Sequence, residues 1–301
     1  MPIFVSIEIR GDIEQVWTRT QDPKIHERWD LRFTHIDYLP KPSPSAAQRF
    51  LYETRIGFGI KIAGEGESIT TREDASGQRT SSLKFWSDEP MSLIKLGSGY
   101  WKYVPTPEGT HFETGYDYEP RWSAFGRLVD RLAFRPLLAW ATAWSFDCLR
   151  QGIEDGTPPS MLRQKALIHA ICRFVLAFVW IWHGMVPKLL AHDPAESSPL
   201  LALHISQGFA STLVNAAGIL EVLMGIVTLV LWRSRKLLLI QAALFAILGL
   251  GAIITVPSMA MTAFNPVSLT VCLVGLSVAG FISSAHLPSA RNCVYRWSVK
   301  K

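Results

Sequence analysis

Two ionisable residues, Arg173 and Glu221, stand inside long apolar runs of the sequence. Charged groups in such runs normally face the interior of a helix bundle or a polar cavity. We therefore expect Arg173 and Glu221 to form an ion pair inside the bundle, with His169 one turn below Arg173 on the same face and Trp180 above it. This intramembrane polar site could bind a substrate or move protons or electrons. It could equally be a polar clasp that only fixes helix packing.

A second set of candidates lies in the first half of the chain, which is dense in aromatic residues. The side chains that could line a ligand cavity are Trp17, Trp29, Tyr52, Phe85, Tyr100, Tyr116 and Arg55. Asp30, Arg32, Glu53 and His111 are among the polar residues that could orient a ligand. Aromatic residues in a sheet are also consistent with an ordinary core, and paired charges with a solvated sheet face.

Recognisable catalytic motifs are absent from the sequence. It contains no nucleophile elbow, phosphate-binding loop or HExxH pattern. The four cysteines include no CxxC pair, so neither a zinc site nor a disulfide framework is predicted. The catalytic residues, if there are any, remain unknown, and no metal site is expected.

Three arginines recur every fourth position in a helical stretch: Arg127, Arg131 and Arg135. They form a basic stripe beside apolar leucines. The stripe could be a plain solvated face. Because a membrane segment follows about 30 residues later, contact with anionic lipid headgroups or with the cytoplasmic loop of the bundle is the rival interpretation.

The elements that position these residues differ between the two halves of the chain. Residues 1–160 carry 19 basic and 22 acidic residues, whereas residues 161–301 carry 11 and 3. Four apolar runs in the second half are long enough to cross a bilayer, and they span 166–185, 213–232, 237–256 and 267–287. The basic net charge of +5 therefore comes from residues that flank apolar runs, so a nucleic-acid partner is not indicated.

The orientation of the membrane half follows from its basic residues. Ten Lys and Arg residues lie before the first run, between the second and third runs, and in the tail, against one, Lys188, on the opposite side. The amino terminus lacks the layout of a signal peptide. Both termini are expected in the cytoplasm, and the protein in the cytoplasmic (inner) membrane.

The first half reads as a strand, two short helices, a meander of strands and a long helix. Residues 3–9 alternate apolar and polar side chains, and helices are expected near residues 12–17 and 23–29. A helix over 125–153, kinked at Pro136, closes this half. The intervening strands are predicted at 32–39, 48–56, 61–71, 80–86, 92–103 and 110–118.

The second half resembles the DoxX-like family of four-helix membrane proteins. The resemblance covers residues 165–290 and rests on Arg173, the stretches 180–188 and 217–225, and Phe264-Asn-Pro-Val-Ser268. It implies a four-helix bundle. Members are associated with quinone-linked sulfur oxidation or membrane oxidoreductase complexes, so the resemblance also implies that a quinone cofactor and oxidoreductase subunits as partners are to be considered.

The first half resembles the START-like, or SRPBCC (polyketide cyclase-like), superfamily over residues 2–155. The order of its elements carries the resemblance, with Val16-Trp17 and the segment 28–33 in characteristic places. The implied fold is the α+β helix-grip fold, in which a cavity between the sheet and the last helix admits an apolar or aromatic ligand.

These observations predict a START-like domain at 1–157, a linker at 158–165, a transmembrane four-helix bundle at 166–290 and a cytoplasmic tail at 291–301. The favoured function is a multi-pass membrane protein whose soluble domain binds an apolar molecule, such as a lipid, a quinone or an aromatic metabolite. The alternatives are a subunit of a quinone-linked membrane oxidoreductase and a non-catalytic membrane scaffold or stress-response protein. The sequence favours a protein that is not a stand-alone enzyme.

Overall fold

The computed structural model describes residues 2–43, 45–57, 59–263 and 265–296. Phe264 of the DoxX-like motif and the last tail residues, 297–301, lie outside this part of the chain. The chain divides into two compact units. One, the sheet unit, comprises residues 1–162 and 288–301, and the other, the bundle unit, comprises residues 163–287.

In the part of the sheet unit that the structure describes, eight strands form one antiparallel sheet in the order β2-β3-β4-β5-β6-β7-β1-β8. Neighbouring strands from β2 to β7 follow each other in sequence, so hairpins connect them. The strands are β1 (Ile3–Ile9), β2 (His35–Tyr38), β3 (Arg49–Gly57), β4 (Ile60–Glu73), β5 (Arg79–Trp86), β6 (Ile94–Thr106), β7 (Gly109–Pro120) and β8 (Val294–Arg296).

Two short helices, α1 (Ile13–Gln21) and α2 (Pro23–Trp29), follow β1. Their starts are set by side-chain caps, because Asp12 accepts a hydrogen bond from the Gln15 N–H and Asp22 accepts one from the Lys24 N–H. Together with the sheet and the long closing helix, they complete the element order expected of a helix-grip fold. The predicted fold class is confirmed.

The closing helix is interrupted just before the proline at which the sequence predicts a kink. It consists of α3 (Ser123–Val129), a π-helical turn (Asp130–Phe134) and α4 (Arg135–Glu154). Pro136 is the second residue of α4, where it can donate no backbone hydrogen bond to the preceding π-helical turn. The irregularity expected at the proline is therefore a π turn just before it.

The core of the sheet unit forms where β1, β6 and β7 pack on α4. Ile3 and Val5 of β1 are fully buried, and Phe112 of β7 stacks on Phe146 of α4 with ring centroids 4.5 Å apart. Tyr116 of β7 also reaches α4, since its hydroxyl lies 2.8 Å from Thr142 Oγ1. We call the sheet face that packs on α4 the inner face.

The chain returns to the sheet unit after the last membrane helix. Strand β8 pairs with β1, and the short 3-10 helix Ala290–Asn292 packs near α4. The buried Asp147 of α4 accepts hydrogen bonds from the Ser289 N–H at 2.8 Å and from Asn292 Nδ2 at 2.9 Å. The first residues of the segment that the sequence treats as a tail thus belong to the sheet unit.

Within the described residues, the bundle unit contains four helices that are long and apolar enough to cross a membrane. These helical spans are α5 (Pro159–His183) with its π-helical continuation Gly184–Leu190, α7 (Gln207–Val230), α8 (Arg235–Thr255) and α9 (Pro266–Ser283). The four predicted spans are confirmed. Between the first two lies a short helix, α6 (Pro194–Ala202), in a stretch that the sequence treats as a loop.

The bundle is packed around Trp180, which stacks on Phe245 of α8 with ring centroids 4.4 Å apart. Glycines on α7 allow the close approach that the sequence predicts. A Cβ atom at Gly218 would lie 2.9 Å from the Gly184 carbonyl oxygen, and one at Gly225 would lie 2.8 Å from that of Ala177. Neither position has room for a larger side chain.

Candidate functional site

The inner face of the sheet is closed at one end and partly open at the other. At the closed end, Tyr103 and Phe112 are fully buried against the helices. At the other end, strands β3 and β5 and the segment after α2 present apolar side chains that remain half-buried, and these are Phe33, Phe50, Leu83 and Phe85. We call these four residues the cleft.

Strand register places three cleft residues on the inner face. Directly paired residues of antiparallel strands point to the same side of a sheet. Tyr116, on the inner face, pairs with Gly99, which pairs with Leu83. Phe85 lies two residues after Leu83 on β5 and therefore on the same face. It pairs with Gly66, which pairs with Phe50. Leu83, Phe85 and Phe50 therefore share the face that carries Tyr116.

Glycines beneath the aromatic rings explain why this end stays open. The Phe50 ring lies over Gly66 and the Phe85 ring over Gly97, so closely that a Cβ atom at either glycine would overlap the ring. Rings that lie on glycine backbone fill the space next to the strand rather than the space towards the helix. They leave apolar surface accessible on the inner face.

A buried ionic group borders the cleft. The Arg32 guanidinium donates to the fully buried Asp30 carboxylate from Nε at 2.9 Å and from Nη2 at 2.6 Å. It lies 5.4 Å from the ring centroid of Phe33 and 5.6 Å from that of Tyr116. His26 completes the group, with Nε2 3.0 Å from Asp30 Oδ2.

Burial and charge set the protonation states around this group. Burial alone would raise the pKa of Asp30, but the Arg32 charge and the hydrogen bonds from His26 and Arg32 hold it well below its usual value. Burial lowers the pKa of His26, against the opposing effect of Asp30. The pKa of Tyr52 is raised to about 12 by burial. At neutral pH the group is therefore an Asp30–Arg32 ion pair beside a neutral histidine.

The seven predicted cavity residues divide between different parts of the sheet unit. Tyr52, Phe85 and Tyr116 lie on the inner face, and Phe33 packs edge-on against Tyr52 at 5.7 Å. The buried Trp29 donates to the Arg19 carbonyl at 2.9 Å. The half-buried Trp17 contacts Tyr103 and Arg79.

Tyr100 and Arg55 do not belong to a cavity on the inner face. Tyr100 pairs with Gly115, and its hydroxyl donates to Glu113. Gly115 and Glu113 lie on the face of β7 opposite to Tyr116, so Tyr100 points away from the inner face. Arg55 is exposed and pairs with Lys61. Like Glu53, it lies on the face of β3 opposite to Phe50 and Tyr52. Tyr100 instead lines an open recess of about 1010 Å³ on the outer face, together with Phe4 and Arg296.

Sequence reasoning missed Phe33, Phe50 and Leu83 as cleft residues. The signal that could have found Phe50 is the pairing of an aromatic residue with a glycine on the neighbouring strand, since β4 carries Gly64 and Gly66 two positions apart. The pairing becomes visible only once the register of β3 and β4 is known.

The predicted Arg173–Glu221 ion pair in the bundle is wrong. Arg173 is fully buried and donates to backbone carbonyls at the C-terminal end of α7 and just beyond it. The distances are 3.0 Å to Thr228 O, 3.2 Å to Leu231 O and 2.7 Å to Ser234 O. Carbonyls at a helix end have no partner within the helix and carry partial negative charge, so a guanidinium satisfies several of them at once.

Glu221 pairs with a residue that the sequence places outside the polar site. Lys188 Nζ lies 3.0 Å from Glu221 Oε2 and 3.0 Å from Glu196 Oε2. The contact between Gly184 and Gly218 brings the π-helical turn and α7 together, and Lys188 follows Gly184 by one turn. The close approach of the two backbones therefore selects Lys188 as the partner of Glu221.

The other two members of the predicted polar site have separate partners. The ring nitrogens of His169 lie 3.1 Å from Trp232 O and 3.3 Å from Gly280 O. Trp180 Nε1 donates to Gln241 Oε1 at 3.4 Å, and Gln241 donates onward to Thr228 Oγ1 at 2.7 Å. His169 and Arg173 thus lie near the C-terminal end of α7, away from the group formed by Lys188, Glu196 and Glu221.

The predicted basic stripe loses one of its three members. Arg135 is 6% exposed and donates to Asp130 and Asp117 at 2.8 Å each, with its guanidinium 4.4 Å from the centroid of the Tyr118 ring. It cannot contact a membrane surface in this arrangement. Arg127 and Arg131 are exposed, as expected.

Two sequence comparisons found similar proteins. Residues 177–278 match the model of the DoxX-like family. The membrane protein YndG of Bacillus subtilis is 46% identical over 184 residues, which cover 61% of this chain and 68% of YndG.

Solved structures similar to the chain cover about half of its length. TTHA0849 from Thermus thermophilus is 18% identical over 52% of this chain and 95% of its own, with a TM-score of 0.37. A STAR-related lipid transfer protein from Xanthomonas axonopodis is 15% identical over 49% and 82%, with a TM-score of 0.39. The di-domain ARO/CYC StfQ of the steffimycin biosynthetic pathway is 15% identical over 52% and 50%, with a TM-score of 0.41.

Proposed function

The chain belongs to the same family as the membrane protein YndG and carries a DoxX-like domain, and from this premise we propose that its sheet unit binds an apolar small molecule. The ligand would be a lipid, a quinone or an aromatic metabolite. The protein would be a multi-pass component of the cytoplasmic membrane, with the sheet unit and both termini in the cytoplasm.

The contrast between the two ends of the inner face carries this proposal. A sheet that only needed a core would bury its apolar side chains throughout, as it does at Tyr103 and Phe112. The four cleft residues are instead only half-buried, and three of them share the inner face with Tyr116. An apolar surface that is recessed and half-buried favours an apolar ligand over water.

The ion pair beside the cleft limits the chemistry of the ligand. Arg32 already has its charge compensated by Asp30, which is fully buried. A second anion would have to compete with that carboxylate, whereas a neutral oxygen acceptor would not. The cleft is therefore best suited to an apolar molecule with a carbonyl or hydroxyl group near Arg32, as in a quinone or a hydroxylated lipid.

A tether to the membrane makes such a site effective. The sheet unit is covalently joined to the bundle at both ends, between residues 162 and 163 and between residues 287 and 288. A binding site held near a bilayer meets lipid-soluble molecules at a much higher effective concentration than a free one. The orientation that this requires follows from the ten-to-one distribution of basic residues.

Mass spectrometry of organic extracts from the purified full chain tests the proposal. We expect a bound apolar species in near-stoichiometric amount. Leu83→Trp, which fills the cleft, should abolish it, while Leu51→Trp on the exposed outer face of β3 should retain it. Equal amounts in both variants, or no bound species in the unmodified chain, would refute the proposal. Thermal unfolding of both variants controls for misfolding.

A further inference from the structure

The segment 121–140 of the sheet unit exposes far more apolar surface than its surroundings require. Phe125 is 67% exposed and Leu132 is 70% exposed, although both belong to well-formed helical turns. We call the exposed apolar residues of this segment the helical patch, and they are Trp122, Phe125, Leu128, Leu132, Leu137 and Trp140. Large contiguous apolar patches on a surface usually mark an interaction site.

Helical spacing gathers these residues on one side. Steps of three or four residues separate Trp122, Phe125, Leu128 and Leu132, which keeps them on one helix face. The next step, from Leu132 to Leu137, is five residues long, and it crosses the π-helical turn Asp130–Phe134. Because a π turn contains about one extra residue, the longer step preserves the face.

The exposed charged side chains within the segment 121–140 are all basic. Arg127 and Arg131 are exposed on the same turns. The segment contains one acidic residue, Asp130, which is 5% exposed and is bonded to Arg135 and Tyr118. What the segment presents to its surroundings is therefore apolar and cationic.

The backbone holds the first residue of the patch in place. Trp122 and Ser123 both adopt positive φ angles, 66° and 49°, which non-glycine residues rarely do. The Trp122 indole N–H donates to the Pro90 carbonyl at 3.2 Å. Strained conformations that a structure retains tend to mark functional positions. Here the strain fixes an amphipathic indole, a side chain that favours the membrane–water interface.

We propose that the helical patch docks on the surface of an anionic lipid bilayer. Its apolar residues enter the interfacial region while Arg127 and Arg131 contact lipid phosphates. Lipid fits better than a protein partner because apolar side chains are flanked by cations with no exposed acid in the segment, which is the pattern of an interfacial helix. The inference goes beyond the proposed function and stands whether or not the cleft holds a ligand.

Site-specific fluorescence in lipid nanodiscs tests the docking. The full chain, with Cys272→Ala and Cys293→Ala, carries an environment-sensitive dye at Leu128→Cys or, as the control, at the exposed Ala75→Cys of the β4–β5 hairpin. In nanodiscs with anionic lipid, we expect a blue-shifted emission and quenching by brominated lipids at position 128 and neither effect at position 75. Equal quenching at both positions, or none at position 128, overturns the proposal.

Charge neutralisation tests whether Arg127 and Arg131 contribute to the docking. Arg127→Gln with Arg131→Gln should lower the ratio of docked to undocked chain by roughly 30-fold. Each basic residue near an anionic surface strengthens binding by roughly fivefold, and the two effects multiply. Neutralising Arg72 and Lys84, exposed elsewhere in the sheet unit, should change it little. Self-quenching between labels at position 128 without lipid quenching would identify a second copy of the chain as the occupant and overturn the proposal.

Discussion

The two units of this protein satisfy buried guanidinium groups in different ways. In the sheet unit, buried ionic groups have partners of opposite charge, as Asp30 has Arg32, Arg135 has Asp130, and Asp147 has Arg150. In the bundle unit, the fully buried Arg173 is held by backbone carbonyls at a helix end.

The difference reflects what each environment provides. Residues 1–160 contain 22 acidic residues, so a buried cation can find a carboxylate. Residues 161–301 contain three, and each carboxylate placed in a membrane is costly. The C-terminal end of α7 supplies unpaired carbonyls without any additional charge. The same guanidinium chemistry is thus satisfied by side chains in one unit and by a helix terminus in the other.

The largest effect should follow from breaking the ion pair of the sheet unit. Asp30→Asn leaves the Arg32 charge buried without its carboxylate, a change that costs about 3–5 kcal/mol in comparable pairs. We expect the thermal midpoint of the sheet unit to fall by about 10 °C. Differential scanning of intrinsic fluorescence on the purified chain measures this.

The matched control is an exposed ion pair of the same unit. Glu119→Gln removes the partner of Lys95, and both side chains are more than 60% exposed. It should leave the midpoint within about 1 °C of the unmodified chain. A similar loss in both variants would show that burial does not distinguish the two pairs.

A smaller effect should separate the two polar sites of the bundle. Arg173→Met and Glu221→Gln should be additive in their effect on thermal stability, within about 0.5 kcal/mol, because their contacts are not shared. Lys188→Met and Glu221→Gln should instead be coupled. The midpoints of the single and double variants in detergent give both coupling energies. A coupling energy between Arg173 and Glu221 would instead support the ion pair predicted from sequence and contradict the separate contacts described above.

Acidification should weaken the sheet unit through His26. Burial lowers the pKa of folded His26 below its ordinary 6.5, so the unfolded chain binds the proton more readily. The stability that neutral His26 contributes is therefore present above pH 6.5 and decreases as the pH falls below it, by at most about 1.4 kcal/mol per pH unit. The groups around it are Asp30, Arg32 and Glu27.

Thermal midpoints at pH 7.5 and pH 5.5 check this expectation. The unmodified chain should lose stability over that interval, and His26→Gln should lose measurably less. If the Asp30 charge instead stabilised protonated His26, the unmodified chain would be more stable at pH 5.5 than at pH 7.5, and the expectation would be wrong.

The smallest effect concerns the returning segment. Asn292→Ala removes one of the hydrogen bonds to Asp147, which retains those from Arg150, Gln151 and the Ser289 N–H. We expect a loss of about 1 kcal/mol, or about 2–4 °C in the midpoint of the sheet unit. An unchanged midpoint would mean that the Asn292 side chain adds nothing to the stability of this unit.

Hydropathy and alternation predict the elements because both arise from short stretches of sequence. The four spans follow from the low charge of runs such as 237–256, and β1 follows from the alternation of Ile3, Val5 and Ile7. The order of elements then suffices for the helix-grip arrangement. The π turn at Asp130–Phe134 has no such signal, and the contact of Asp130 with Tyr118 joins the turn to a different element, β7.

Partners of individual side chains depend on which backbones approach each other. Arg173 satisfies carbonyls, which every residue carries, so the sequence offers no cue to prefer them over Glu221. Likewise, alternation shows that Tyr100 faces away from Trp101 but not which of the two faces the helix. The register of the strands decides that question, and with it the membership of the cleft.

Photo-cross-linking in living cells tests the central claim, that the cleft holds an apolar molecule. Benzoylphenylalanine replaces either Phe85, in the cleft, or Leu51, on the outer face of β3. After irradiation, mass spectrometry of the purified chain should show a small apolar adduct at position 85 and none at position 51. Adducts at both positions, or at neither, would contradict the account.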